Sequence, residues 1–326
     1  MTSPARTIDV HAHYFPADYL DLLEASGAAA VDLRSGRNAC WPSTAADLSE
    51  RIAVMDRAGV DVQLLSLGAC GPYLADPALA AAAARTANDA YAAAVHLHPG
   101  RFAAFACLPL PHVDDALTEL TYALDDLGMT GVAICTTMGG RALDDPAFDP
   151  IYAELHRRRA VLFVHPTAGA CGSPLLLQTG LAWALGAVLE DSAAPLQLLQ
   201  SRFDERFADV QVVIAHLGGT LPFITERIEH TARVFMPGRD APLEKLRRFW
   251  YDTANGHPAA LRCACDTLGA DRLVLGMDYP FVRGAGYTNG LTHIAAAGLT
   301  PREQHAIRAT NAAAMLGPYL DRIPPR

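Results

Sequence analysis

No stretch of the 326 residues approaches the roughly 18 uninterrupted apolar residues of a membrane span. The most apolar run, the alanine-rich Ala78–Ala94, is broken by Arg85, Asn88 and Asp89 and reads as a soluble helix. Met1–Arg6 runs into an apolar strand without the long hydrophobic region of a secretory signal, so the cytoplasm is the expected location. Charge is sparse, at 19% of residues, and it lacks a basic block: the net charge is −9 and the pI about 5.7. Such a surface has no footprint for a phosphate backbone, and nucleic acid is not an expected partner. The seven cysteines (40, 70, 107, 135, 171, 263 and 265) are odd in number and scattered among apolar residues, which excludes a disulfide framework and fits reduced thiols. Internal repeats and low-complexity linkers are also missing. One domain over residues 1–326 is therefore expected, with Ile323-Pro-Pro-Arg326 as a frayed tail.

What the chain does have is a hydrophobic half and a regular alternation of two patterns. Short β-rich runs occur at Thr7–Phe15, Val60–Leu67, Phe102–Leu110, Gly131–Thr137, Ala160–Thr167, Gln211–Gly218, Phe249–Asn255 and Arg272–Phe281. Between them lie stretches with helical spacing, such as Ala45–Ala58, where Leu48, Ile52 and Met55 share a face and Gly59 supplies a stop. Eight strands alternating with helices predict an α/β fold of the (β/α)₈ barrel type, with reactive groups at the C-terminal strand ends. Two connections are long enough to carry inserted helices, residues 16–42 after strand one and 166–209 after strand five.

Strand one carries Asp9-Val-His11-Ala-His13. Side chains two apart on a strand share a face, so both imidazoles point into the barrel and reach one ion. His96-Leu-His98 has the same spacing but ends a predicted helix, where residues two apart diverge by roughly 200° and cannot chelate together. Strand five ends in Phe163-Val-His165-Pro, strand six in Ala215-His216-Leu-Gly-Gly219, and strand eight in Gly276-Met-Asp278-Tyr-Pro-Phe281. A carboxylate where an apolar strand stops needs a partner, and a metal is one.

His11, His13, His165 and Asp278 form a His₃Asp set suited to one divalent ion, with zinc preferred and manganese or cobalt as alternatives. His216 is placed beside the metal as acid or base, with Asp278 as a second proton-handling group, and a fifth-ligand role for His216 stays open.

The order Asp-x-His-x-His, Phe-Val-His-Pro, Ala-His-x-Gly-Gly and Gly-x-Asp-Tyr-Pro-Phe resembles the amidohydrolase superfamily. It is most similar to the branch holding aminocarboxymuconate-semialdehyde decarboxylase and the resorcylate-type decarboxylases. Arg51–Ser66 and His98-Pro-Gly-Arg-Phe102 also match that branch. The resemblance implies zinc on His11, His13, His165 and Asp278, and His216 as acid/base. It further implies that Arg34 and Arg227 hold substrate carboxylates, Arg227 reaching across the interface of a homodimer, while Phe281 closes the strand-eight motif as a substrate contact.

The chain departs from the branch at Thr167, where the aminocarboxymuconate enzyme has a tryptophan, and in starting with His-x-His rather than the Glu-x-His of resorcylate-type enzymes. Gly131–Met138 lacks a lysine to bridge two metals, so one metal is expected. The expected reaction is non-oxidative decarboxylation of a small unsaturated or aromatic carboxylic acid. The alternative is hydrolysis or hydration of a small acid, lactone or amide with the same ligands. A barrel keeping its metal only for structure is a third reading, disfavoured because structural zinc sites are usually closed and rich in cysteine.

Overall fold

The computed structural model describes residues 5–28, 33, 36–37, 44–167 and 170–325. Eight strands form one sheet: β1 (Ile8–His13), β2 (Val62–Ser66), β3 (Phe102–Ala106), β4 (Gly131–Cys135), β5 (Val161–His165), β6 (Gln211–Ile214), β7 (Trp250–Asp252) and β8 (Leu273–Val274). Neighbours in sequence are neighbours in space and every pairing is parallel. The ring closes where Val10 N donates to Leu275 O (2.8 Å) and Asp278 N donates to His11 O (2.8 Å). All eight expected strands are present, in a (β/α)₈ barrel.

An apolar cluster including Ile8, Val10, Leu64, Phe105, Phe163 and Val213 fills the interior, and Met315 and Ile323 pack against it. Phe105 and Phe163 stack with ring centroids 5.6 Å apart. A larger cluster lies between the strands and the helices. The helix Ala45–Ala58 begins at Thr44, whose hydroxyl accepts from Asp47 N, and ends at Gly59 in the left-handed conformation, as its spacing predicts. No described helix is long and apolar enough to cross a membrane.

Strand β1 is not a plain alternating strand. Its register against β2 shifts between Asp9 and Ala12. Val10 packs with the interior cluster, whereas Asp9 accepts from Gln63 Nε2 (2.8 Å) and from Tyr287 on the helix Ala285–Ala296 (3.1 Å), outside the barrel. The irregularity lets Asp9 face the helices while His11 and His13 still face the centre.

After β1 a helix occupies Ala17–Ala25. The long connection after β5 is built from several short pieces, including Pro174–Leu177, the π-turn Ala182–Gly186 and the helix Ala187–Gln200. The C-terminus does not fray at Ile323: this side chain is 4% exposed, and Arg6 donates to the carbonyls of Ile323 and Pro324, each at 3.0 Å. An apolar residue among polar and proline neighbours ties the end down.

Candidate metal centre

Five side chains from four strand ends meet at the C-terminal mouth of the barrel. His11 and His13 Nε2 atoms lie 3.0 Å apart. The His13 and His165 ring centroids are 4.8 Å apart, and those of His11 and His216 5.0 Å. Asp278 Oδ1 lies 3.2 Å from His13 Nε2 and 3.5 Å from His11 Nε2, and Asp278 Oδ2 lies 3.8 Å from His216 Nε2. The donor atoms of His11, His13 and Asp278 are mutually close enough for one ion, as are those of His11, His165 and His216. The decoy pair behaves as expected: His96 sits in the last turn of the helix Pro77–Leu97 and His98 caps it.

The outward nitrogens decide what the inward ones can do. His11 Nδ1 contacts Asp252 Oδ2 at 2.8 Å, and His165 Nδ1 donates to the Pro166 carbonyl at 2.8 Å. His13 Nδ1 lies 3.2 Å from Ser66 Oγ, whose own proton goes to the Ala12 carbonyl (3.3 Å). With each Nδ1 donating, all three Nε2 atoms turn lone pairs to one centre. Asp278 Oδ1 points there too, buried and accepting no hydrogen bond, while Oδ2 accepts from Asn255 Nδ2 at 2.8 Å. Converging lone pairs and an orphaned carboxylate oxygen fit a divalent cation with imidazole and carboxylate ligands.

The electrostatics agree for His13 and His165, whereas His11 is raised, against its burial, by the Asp252 and Asp278 carboxylates. Burial pushes His13 down to about 4, and burial together with the neighbouring imidazoles drives His165 well below its ordinary value, so both are neutral and able to ligate. Burial opposes a charged Asp278, yet His11, His13 and His216 hold its carboxyl well below the usual range. His216 differs. Burial works against its charge, but the Asp191 carboxylate, 2.9 Å from Nδ1, lifts it well above the ordinary histidine value.

Phe281 stands at the mouth, 45% exposed, with its ring centroid 5.5 Å from His13 and 6.4 Å from the stacked Trp183. Arg34 lies outside the described residues. Arg227, on the helix Thr225–Phe235, is exposed and lines an open surface groove with Phe223 and His230. Within one chain it is not gathered with the histidines.

Sequence reading missed Asp252, Asp191, Ser66 and Asn255. Asp252 ends β7 as Asp278 follows β8, so the same signal, an acid where an apolar strand stops, was available. Asp191 gave none, because it lies inside a helix and 25 residues before the histidine it touches.

Comparison with known proteins agrees with this architecture. The 2-amino-3-carboxymuconate-6-semialdehyde decarboxylase of Dictyostelium discoideum is 30% identical over 301 residues, covering 85% of this chain and 82% of the relative. A 6-methylsalicylic acid decarboxylase of Aspergillus aculeatus is 32% identical over 288 residues, covering 84% of each. The structure of a 5-carboxyvanillate decarboxylase from Novosphingobium aromaticivorans, which has bound manganese, superposes with a TM-score of 0.82 at 22% identity, covering 96% of this chain and 97% of that one. The amidohydrolase family model matches residues 8–317, and the chain belongs to that family.

Proposed function

We propose that the protein is a metal-dependent non-oxidative decarboxylase of a small aromatic or unsaturated carboxylic acid, acting as a single barrel domain. The observation that carries this reading is the inward convergence of the His11, His13 and His165 Nε2 lone pairs on an unpartnered Asp278 oxygen, with a separately held imidazole, His216, beside them. That the relatives named above are decarboxylases supports the choice of reaction.

His11, His13, His165 and Asp278 would hold the ion. When bound, it would supply a Lewis acid that draws electron density from the substrate oxygens. Phe281 flanks the entry with an apolar face on which a ring can lie. His216 keeps its Nε2 toward the centre and carries a proton there. As the carbon–carboxylate bond breaks, carbon dioxide leaves and the electron pair stays on carbon. The proton on His216 Nε2 is then delivered to that carbon, and the imidazole regains one from solvent, so each turnover consumes one proton.

Zinc is the proposed ion, on the donor set, with manganese as the rival because a structural neighbour holds it. A homodimer is proposed as well. Exposed Arg227 beside Phe223, itself 86% exposed, suits a contribution to a neighbouring subunit's site rather than its own. Protein loaded separately with zinc and manganese and given 6-methylsalicylic, 5-carboxyvanillic and aminocarboxymuconate-type acids should release carbon dioxide and place a solvent hydrogen on the product. Uptake of solvent oxygen without carbon dioxide release would establish hydrolysis or hydration instead.

A further inference from the structure

Three consecutive polar residues, Glu190, Asp191 and Ser192, are buried in the first half of the helix Ala187–Gln200, at 5%, 1% and 7% exposure. Buried polar runs on a helix are unfavourable unless each member is satisfied. Successive helix residues point about 100° apart, so three in a row address three directions. Glu190 Oε2 accepts from Thr136 Oγ1 at 2.7 Å just after β4, and from Thr167 Oγ1 at 2.8 Å just after β5. Asp191 Oδ2 meets His216 Nδ1 at 2.9 Å, after β6. Ser192 Oγ accepts from Thr220 N at 2.7 Å, on the far side of the same turn.

The turn these residues hold has little stiffness of its own. His216, Leu217, Gly218 and Gly219 all have positive φ, at 51°, 60°, 69° and 62°. For His216 and Leu217, which carry a Cβ, this is a strained conformation, and such strain persists only where surroundings enforce it. The enforcing surface is the helix: a Cβ on Gly219 would sit 2.0 Å from Val188 O and 2.5 Å from Ser192 Oγ.

We infer that Glu190-Asp191-Ser192 is a tripod that sets where His216 stands relative to the ligand cluster, with Asp191 as a positioning residue for the reaction. Its outer legs lock the inserted helix to the β4, β5 and β6 ends, and the middle leg fixes the imidazole with Nδ1 as donor and Nε2 facing the centre. The insertion after β5 is therefore part of the machinery rather than only a cover. The inference rests on the reading of His216 as the proton carrier.

The test compares Asp191→Asn, Glu190→Gln, their double variant and His216→Asn in metal-loaded full-length protein. For Asp191→Asn we expect full metal content, KM within about twofold, and kcat lower by about a hundredfold, the scale of an acid/base group turned out of line. The solvent isotope effect on kcat should rise, because proton delivery becomes limiting. The ¹⁵N spectrum should show a weakened hydrogen bond at His216 Nδ1–H. The double variant should lose less than the product of the two single losses, since both act through one helix. Wild-type kcat in Asp191→Asn with an inactive His216→Asn would overturn the tripod and leave the decarboxylase reading intact. An active His216→Asn would overturn the reading of His216 as the proton carrier instead. Loss of metal, or a fall in kcat/KM through KM alone, would make Asp191 merely structural. Should Asp191→Asn not fold, Glu190→Gln and Ser192→Ala take its place, and unchanged kcat in both would sink the inference.

Discussion

The Arg51 guanidinium lies 4.4 Å over the Tyr279 ring and donates from Nη2 to the His13 carbonyl at 2.8 Å, so one buried cation braces the chain beside two candidate ligands, His13 and Asp278. Arg51 is 2% exposed; Nη1 donates to Gln63 Oε1 at 2.9 Å, and Asp47 lies 3.7 Å away. Replacing it by Met keeps bulk but leaves Asp47 and the His13 carbonyl without their partner. Removing one side of a buried ion pair costs about 3–5 kcal/mol. Arg51→Met should lose stability on that scale in urea unfolding, and Arg51→Lys should recover only part, because an ammonium lacks the fork that reaches Gln63 and His13 together. Equal stability of Arg51→Met and wild type would contradict this brace.

Metal retention should depend on a residue that never touches the ion. Asp252 is fully buried, and its Oδ2 holds His11 Nδ1, while Oδ1 accepts from Ala254 N at 2.8 Å. Such outer partners fix the ring and raise its basicity, and their loss typically costs 10–100-fold in affinity. Asp252→Asn should weaken zinc or manganese by about that factor in competition with a chelator. A change below twofold would mean that His11 is held by packing against Phe163 and His165 alone.

Acid should erode a surface cluster in a defined window. Arg157, and after it Arg158, hold the Glu154 carboxyl at about 2, against 4.5 ordinarily. A folded-state value below the unfolded one means stability that is fully present above about pH 4.5 and lost as pH falls toward 2. Glu154 is 22% exposed, so solvent keeps the gain near 1 kcal/mol or less. The stability difference between wild type and Glu154→Gln should be largest near pH 6 and shrink steadily below pH 4.5. A difference that stays constant from pH 6 to pH 3 would refute the assignment.

Most of the architecture was legible because barrel strands announce themselves locally. β5, from Val161 to His165, is an apolar run between a helix with basic residues at its end and a proline, and the helix Ala45–Ala58 carries its own cap and stop. The candidate ligands were legible from the same runs, His165 and Asp278 where an apolar strand stops and His11 and His13 two apart on β1. The register shift in β1 was not, since a strand with one residue too many has the same letters as one without it. Equally hidden were the partners of the histidines. Asp191 reaches His216 only through a tertiary packing of the post-β5 helix, and nothing in the local sequence around Asp191 distinguishes a buried carboxylate from a solvated one. Arg51 was visible as part of a motif, but its burial was not, because arginine is mostly exposed.

The aromatic mouth gives the last expected outcome, and it concerns binding rather than chemistry. Phe281 and Trp183 are each 45% exposed and stack with ring centroids 6.4 Å apart, and Phe281 in turn lies 6.3 Å from Phe15 and 5.5 Å from His13. A planar acid whose carboxylate end enters the centre must pass this pair, and a ring lying against it removes apolar surface from water on both partners. Phe281→Ala should therefore raise KM for a ring acid by about tenfold, since an aromatic contact of 0.5–1.5 kcal/mol adds to the area term. It should change kcat little, because Phe281 handles no proton and holds no ion. An acyclic diacid, which has no ring face to offer, should suffer less from the same change. If both substrate types lost affinity equally, Phe281 would be shaping the pocket through His13 instead of meeting the substrate, and the metal affinity of Phe281→Ala would fall with it.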